Sequence, residues 1–236
     1  AQLVPESLVY NHALRFLKES SHDSVYKSQF GANAFAKFIR EGGNVPLYDN
    51  LSSTLANEWF KLSNGAPLLK VLDVGAGDGM ALLPAISKFQ SMSPSTRLEI
   101  SVVEPSKAML DTLLSQLQSQ SVVGFNGSAQ DFIKQAPTHM QWDIIMATFS
   151  MQSILPSERP AIFQWFKAHC KHLMIGEFDT SESLTASVKA LVEHYEVGIA
   201  EYKDDDQVLV AQGFLIPVLL GVIGKADDPR KRTKWE

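Results

Sequence analysis

From residue 68 to residue 203 the apolar positions change period repeatedly. Residues 68–74 form a short apolar run of strand type, and 78–89 then repeat at helical spacing. Residues 98–104 are rich in β-branched side chains and read as a second strand. Ser106 stands where an N-cap belongs, ahead of a helix through Gln118. Strands follow at 122–125, 143–148 and 172–178. A helix capped by Ser157, with Pro160 in its first turn, is predicted before the last of these, and a long helix over 181–203 after it. Strands alternating with helices at these lengths imply crossover connections and a parallel sheet covered on both faces.

Outside this block the pattern differs. Residues 1–67 read as helical. Leu8, His12, Leu14 and Leu17 fall near one face, as do Phe30, Ala34 and Phe38, and later Leu51, Leu55 and Trp59. Gly42-Gly43 and Val45-Pro46 break the pieces apart. Residues 204–236 are harder to read. A strand is expected at 208–210, and a strand or buried helix at 214–223, where Pro217 suits neither. The charged tail reads as surface, and Asp204-Asp205-Asp206 as a solvated turn. Three segments result: 1–67, 68–203 and 204–236.

Composition narrows the function. The 236 residues are 45% hydrophobic with a net charge of −5, where a nucleic-acid binder usually shows a basic face. No nucleic-acid partner is expected. A single cysteine, Cys170, excludes an internal disulfide and reads as a small buried side chain. No apolar run reaches the roughly 20 residues that span a bilayer, and the N-terminus lacks the plan of a secretion signal. A cytoplasmic protein without membrane contact is expected.

The chemistry concentrates in Asp73-Val74-Gly75-Ala76-Gly77-Asp78-Gly79. An apolar strand runs into a turn with alternate glycines and then into a helix. Ligands of open parallel sheets bind at such carboxyl strand ends. Glycine there reaches positive φ and lets a ligand approach the backbone closely. The helix that follows offers unpaired N–H groups to a carboxylate. A dinucleotide fingerprint spaces its glycines G-x-G-x-x-G, whereas Gly75, Gly77 and Gly79 form G-x-G-x-G. Asp73 would also sit badly beside a pyrophosphate, which disfavours a nicotinamide oxidoreductase. Glu104 ends the second strand, where a carboxylate accepts both hydroxyls of a ribose.

Asp73 to Gly79, Glu104, Gly127-Ser128-Ala129-Gln130-Asp131-Phe132 and residues 142–150 together resemble the ordered motifs of class I S-adenosylmethionine methyltransferases of the small-molecule type. The resemblance implies a Rossmann-like α/β fold with an N-terminal helical lid. It implies that Asp73, Gly75, Ala76 and Gly77 meet the methionine end of the cofactor and that Glu104, with Pro105, holds the ribose. Ala129, Gln130 and Asp131 would adjoin the adenine. Thr148, Phe149 and Met151 would border the transferred methyl group, Met151 on the acceptor side. Where base-modifying members carry Asn or Asp before Pro-Pro, the chain reads Ala147-Thr148-Phe149-Ser150. No ligand Asp ends the fourth strand, since Asp143 begins it, so no metal is expected. The family core usually closes with an antiparallel hairpin, for which residues 204–236 offer little. A dimer partner or the apolar C-terminal segment is then expected to cover the open sheet edge.

The methyl group of a sulfonium is already activated, so alignment and water exclusion are the main demands on the protein. A base is needed only for an acceptor that keeps its proton. His12, Tyr26 and Glu177 are the candidates, and Tyr10, Tyr26, Phe30 and Tyr48 the candidate lining of an apolar acceptor pocket. The expected activity is methylation of a small hydrophobic metabolite, with oxygen the favoured acceptor atom. A protein methyltransferase and a cofactor-binding protein that transfers nothing are the alternatives.

Overall fold

The computed structural model describes residues 7–19, 28–41, 44–117, 121–177 and 188–225. Contacts divide the chain into two compact units. The first is helical among its described residues, with α1 (Leu8–Glu19), α2 (Gln29–Ile39), α8 (Val188–Ala200), α9 (Asp204–Val210) and α10 (Ile216–Lys225). The second runs through α3 (Asn44–Ser63), β1 (Leu68–Val74), α4 (Leu82–Met92), β2 (Arg97–Glu104), α5 (Lys107–Gln116), β3 (Ser121–Asn126), α6 (Ala129–Gln135), β4 (Trp142–Thr148), α7 (Arg159–His169) and β5 (Cys170–Gly176).

The five strands lie in the order β3-β2-β1-β4-β5 and every pairing is parallel. This is the parallel sheet that the alternation predicts and the Rossmann-like α/β fold that the resemblance implies. Side chains alternate across the central strands, as a sheet buried on both faces requires. Leu69, Val71, Ile144 and Met146 join Trp59, Leu82, Phe89 and Leu113 from α3, α4 and α5 in one core. Leu72, Val74, Ile145 and Ala147 join Ala129, Ile162 and Phe166 from α6 and α7 in another. The chain order reverses between β1 and β4, so the carboxyl ends of these strands form the switch point where ligands of such sheets bind.

In the helical unit the face of α1 differs from the one read off the sequence. Val9 and His12 are buried and Ala13 and Phe16 partly so, whereas Leu17 is 58% exposed. The buried set 9, 12, 13, 16 also has helical spacing, and periodicity alone does not choose between two overlapping stripes. Glu196 of α8 makes the choice. Its carboxylate accepts the amides of Leu8 and Val9 and the Ser7 hydroxyl, satisfying donors at the start of α1.

Residues 204–225 are helical, which corrects the expected strand at 208–210. The three aspartates form the first turn of α9, where negative charge suits the helix dipole. A π turn over Ala211–Leu215 joins α9 to α10. It sits just before Pro217, whose missing N–H would interrupt a straight α-helix. Among the described residues, the C-terminal segment thus supplies no hairpin. Ser157 is likewise not a cap: Glu158 takes the N-cap position of α7, without a side-chain bond, while Pro160 does occupy the first turn.

Candidate active site

The turn after β1 is shaped by three glycines in the left-handed region, each for its own reason. A Cβ on Gly75 (φ +79°) would lie 2.3 Å from the Ser150 Cβ, and one on Gly79 (φ +86°) 2.5 Å from Leu113. At Gly77 (φ +58°) no atom stands within 4 Å, so that backbone faces open space. Gly75 therefore serves close packing against the segment after β4, and Gly77 leaves a surface a ligand can touch. The amides of Gly75 and Ala76 both donate to the Val103 carbonyl, at 2.7 and 3.2 Å, which ties the turn to β2.

Glu104 is buried at the end of β2. One carboxylate oxygen accepts the Gly77 amide at 2.9 Å, the other the Ser106 amide at 2.8 Å. A carboxylate has about four lone-pair sites, so capacity for a diol remains. Asp73, at the end of β1, is 1% exposed, and its Oδ1 has no hydrogen-bond partner. Burial, and then the neighbouring Glu104, push its carboxyl up to about 8. Burial also raises Glu104, while the two amides it accepts oppose the rise. Asp73 is thus an acid that holds its proton near neutral pH. Asp78, inside the turn, is buried as well. The sequence reading did not single it out. Its position among three glycines, with Asp73 five residues before it, was the available signal.

The segment after β4 closes another side. Phe149 adopts φ +52°, a conformation that costs a non-glycine residue about 1–2 kcal/mol. Its amide donates to the Gly176 carbonyl at 2.7 Å, and Tyr48 meets its ring edge-on at 5.7 Å between centroids. The Ser150 hydroxyl donates to the Val74 carbonyl at 2.7 Å. Met151 is fully buried, and its amide donates to Glu177 Oε1 at 2.7 Å.

Hydrogen bonds and packing thus bring together Asp73, Gly75, Ala76, Gly77, Glu104, Phe149, Ser150, Met151 and Glu177. Pro105 accepts a bond from Asn126 beside them, and Thr148 pairs with Gly176. Ala129 is buried at the start of α6. Gln130 donates to Glu158, and Asp131 accepts the Ser128 hydroxyl at 2.6 Å while its own amide returns a bond to that oxygen. Asp131 thus closes a cap at the start of α6, and its carboxyl falls below its ordinary value through the Ser128 bond. His12, Tyr10 and Phe30 belong to the helical unit. His12 is held there by Gln212, which reaches both its ring and its carbonyl. Tyr26 lies outside the described residues. Among the described residues no group of three His, Cys, Asp or Glu side chains is placed to hold a metal, and no helix is long and apolar enough to cross a membrane. Asp143, at the start of β4, binds Lys171 and the Lys70 amide.

No family model matches the chain, and no curated protein matches it significantly. Solved structures do. A candidate S-adenosyl-L-methionine-dependent methyltransferase from Methanococcus maripaludis is 17% identical, with a TM-score of 0.49 over 77% of this chain and 78% of that one. A candidate RNA methyltransferase from Pyrococcus horikoshii is 19% identical, with a TM-score of 0.40 over 70% of this chain and 73% of the other. Protein arginine methyltransferase 10 of Arabidopsis thaliana is 16% identical, with a TM-score of 0.40 over 62% of this chain and 37% of its own. All three are described as methyltransferases, the group whose motifs the sequence resembles.

Proposed function

We propose that the chain is an S-adenosylmethionine-dependent methyltransferase acting on a small acceptor. The observation that carries this reading is Asp73, a carboxyl buried almost completely, with one oxygen lacking a partner, beside a second buried acid. A buried acceptor without a partner costs about 1–3 kcal/mol. A cationic ligand group would satisfy it, and the ammonium of a methionine moiety is such a group. A pyrophosphate would bring negative charge against the buried Glu104 and offer Asp73 no cation, at a cost a buried site does not screen.

The residues fit the rest of the cofactor. Gly77 leaves open backbone beside Glu104, whose remaining lone pairs suit a ribose diol. Ala129, Gln130 and Asp131, at the start of α6, are the proposed neighbours of the adenine. Thr148, Phe149 and Met151 are proposed to border the reacting centre. When bound, the cofactor supplies a methyl group on a positively charged sulfur. The chain's own part is to fix the cradle, to exclude water through the buried segment around Met151, and to present Phe149 and Tyr48 to an apolar acceptor. These aromatic side chains favour a hydrophobic metabolite as the acceptor, and oxygen is the proposed acceptor atom.

Calorimetry with S-adenosylmethionine and with NAD tests the reading. Binding of the first at micromolar or tighter affinity, with none of the second, is expected. NAD binding in its place would overturn it.

A further inference from the structure

Glu177 stands one residue past β5, two strands away from the glycine turn, yet the contacts join the two. Oε1 of Glu177 accepts the Met151 amide at 2.7 Å. Burial raises the Glu177 carboxyl, while the amides of Met151 and Gln152, the Arg159 charge and the Ser150 amide oppose the rise, and through Met151 the carboxylate caps the 3-10 turn Met151–Ser153. Oε2 is buried without a hydrogen-bond partner, so the chain bears an unsatisfied acceptor to keep this cap. When ionised, such an acceptor on backbone N–H groups makes a bond roughly twice as strong as a neutral one.

The capped segment in turn touches the cofactor turn. Ser150 donates its hydroxyl to Val74 and packs its Cβ where Gly75 has none. Gln152 donates to the Phe149 carbonyl, and the Phe149 amide binds Gly176, which holds the strained φ of Phe149 from both sides. Residues 149–153 thus form one piece, fastened to β5 by Gly176 and Glu177 and pressed on the turn after β1 by Ser150.

We propose that Glu177 is a positioning residue for the glycine turn, acting through residues 149–153 and Ser150. The inference rests on the reading of that turn as the cofactor cradle only for its consequence on binding; the mechanical link is separate. Glu177 sets where Ser150 sits, and Ser150 sets the Gly75 backbone.

Hydrogen exchange on the full chain without added cofactor, together with calorimetry using S-adenosylhomocysteine, tests the proposal. In Glu177→Ala, exchange is expected to quicken at least tenfold both at Met151 and across residues 75–79, and affinity to fall about tenfold. Glu177→Gln keeps an acceptor for the Met151 amide and is expected to stay within about threefold of the parent in both measurements. Faster exchange at Met151 with an unchanged glycine turn would overturn the proposal, as would unchanged exchange at both. Loss of affinity as large in the Gln variant as in the Ala variant would overturn the capping role. If Glu177→Ala does not fold, Ser150→Gly removes the Cβ seated on Gly75 and is expected to loosen residues 75–79 alone; no change there would count equally against the link. Failure of the parent protein to bind S-adenosylhomocysteine, with the exchange coupling intact, would refute the proposed function and leave this inference standing.

Discussion

Asp73 bears two burdens, and both are measurable. Its carboxyl is pushed up from 3.8 to about 8 by burial and by Glu104. Between those values the folded chain keeps a proton that the unfolded chain has lost. Stability therefore falls as pH rises through that window, by at most about 1.4 kcal/mol per pH unit. Asp73→Asn is expected to flatten this slope and to raise the urea midpoint at pH 8, while reducing affinity for S-adenosylhomocysteine by about a hundredfold. Urea unfolding at pH 5 and pH 8 checks the first part and calorimetry the second. The gain and the loss have one cause: a neutral amide is cheap to bury and offers no charge to an ammonium. The glycines divide in the same way. Gly77→Ala is expected to cost only about 1 kcal/mol of stability, since the cost is conformational, yet to impair binding because its Cβ enters open space that a ligand would occupy. Gly75→Ala adds a clash with Ser150 and is expected to cost about 2–4 kcal/mol. Thermal unfolding beside affinity measurements separates the two.

Strand and helix elements of the sheet unit were legible because they are buried on both faces or repeat at one clear period. β1, β2 and β4 lie within a residue of their expected bounds, and Ser106 caps α5 as its position suggests. The carboxyl strand ends were legible too, because the glycine turn after the first strand and the end of the second strand place Asp73 and Glu104 there. What escaped depends on tertiary contact. The seating of Ser150 on Gly75, the cap from Glu177 and the burial of Asp78 leave no mark in local spacing. In α1 the expected face holds for Leu8 and His12, which pack inward, but fails for Leu14 and Leu17, because these fit a helical period as well as Ala13 and Phe16 do and only Glu196 and the α8 packing decide between them. Val9→Ala is accordingly expected to destabilise the protein by about 1–2 kcal/mol, and Leu17→Ser by less than about 0.5 kcal/mol. Equal effects in chemical denaturation would contradict the assigned face. Residues 204–225 misled for another reason. Short β-branched runs are ambiguous between strand and buried helix, and the π turn before Pro217 is a local adjustment that no propensity scale anticipates.

At the scale of the whole molecule, every proposed cofactor contact comes from residues 73–177 of the sheet unit. Phe30→Ala, at a half-exposed position of α2, is therefore expected to leave affinity for S-adenosylhomocysteine within about twofold of the parent. A tenfold loss by calorimetry would extend the site beyond the sheet unit. The central claim is narrower: a buried, protonated Asp73 gives up its proton to receive a cation. Calorimetry of S-adenosylmethionine binding at pH 7, repeated in buffers of different ionisation enthalpy, measures this directly. The account predicts the release of close to one proton per molecule bound, and tighter binding as pH rises from 6 to 8. Binding with no proton release and no dependence on pH over that range would contradict it.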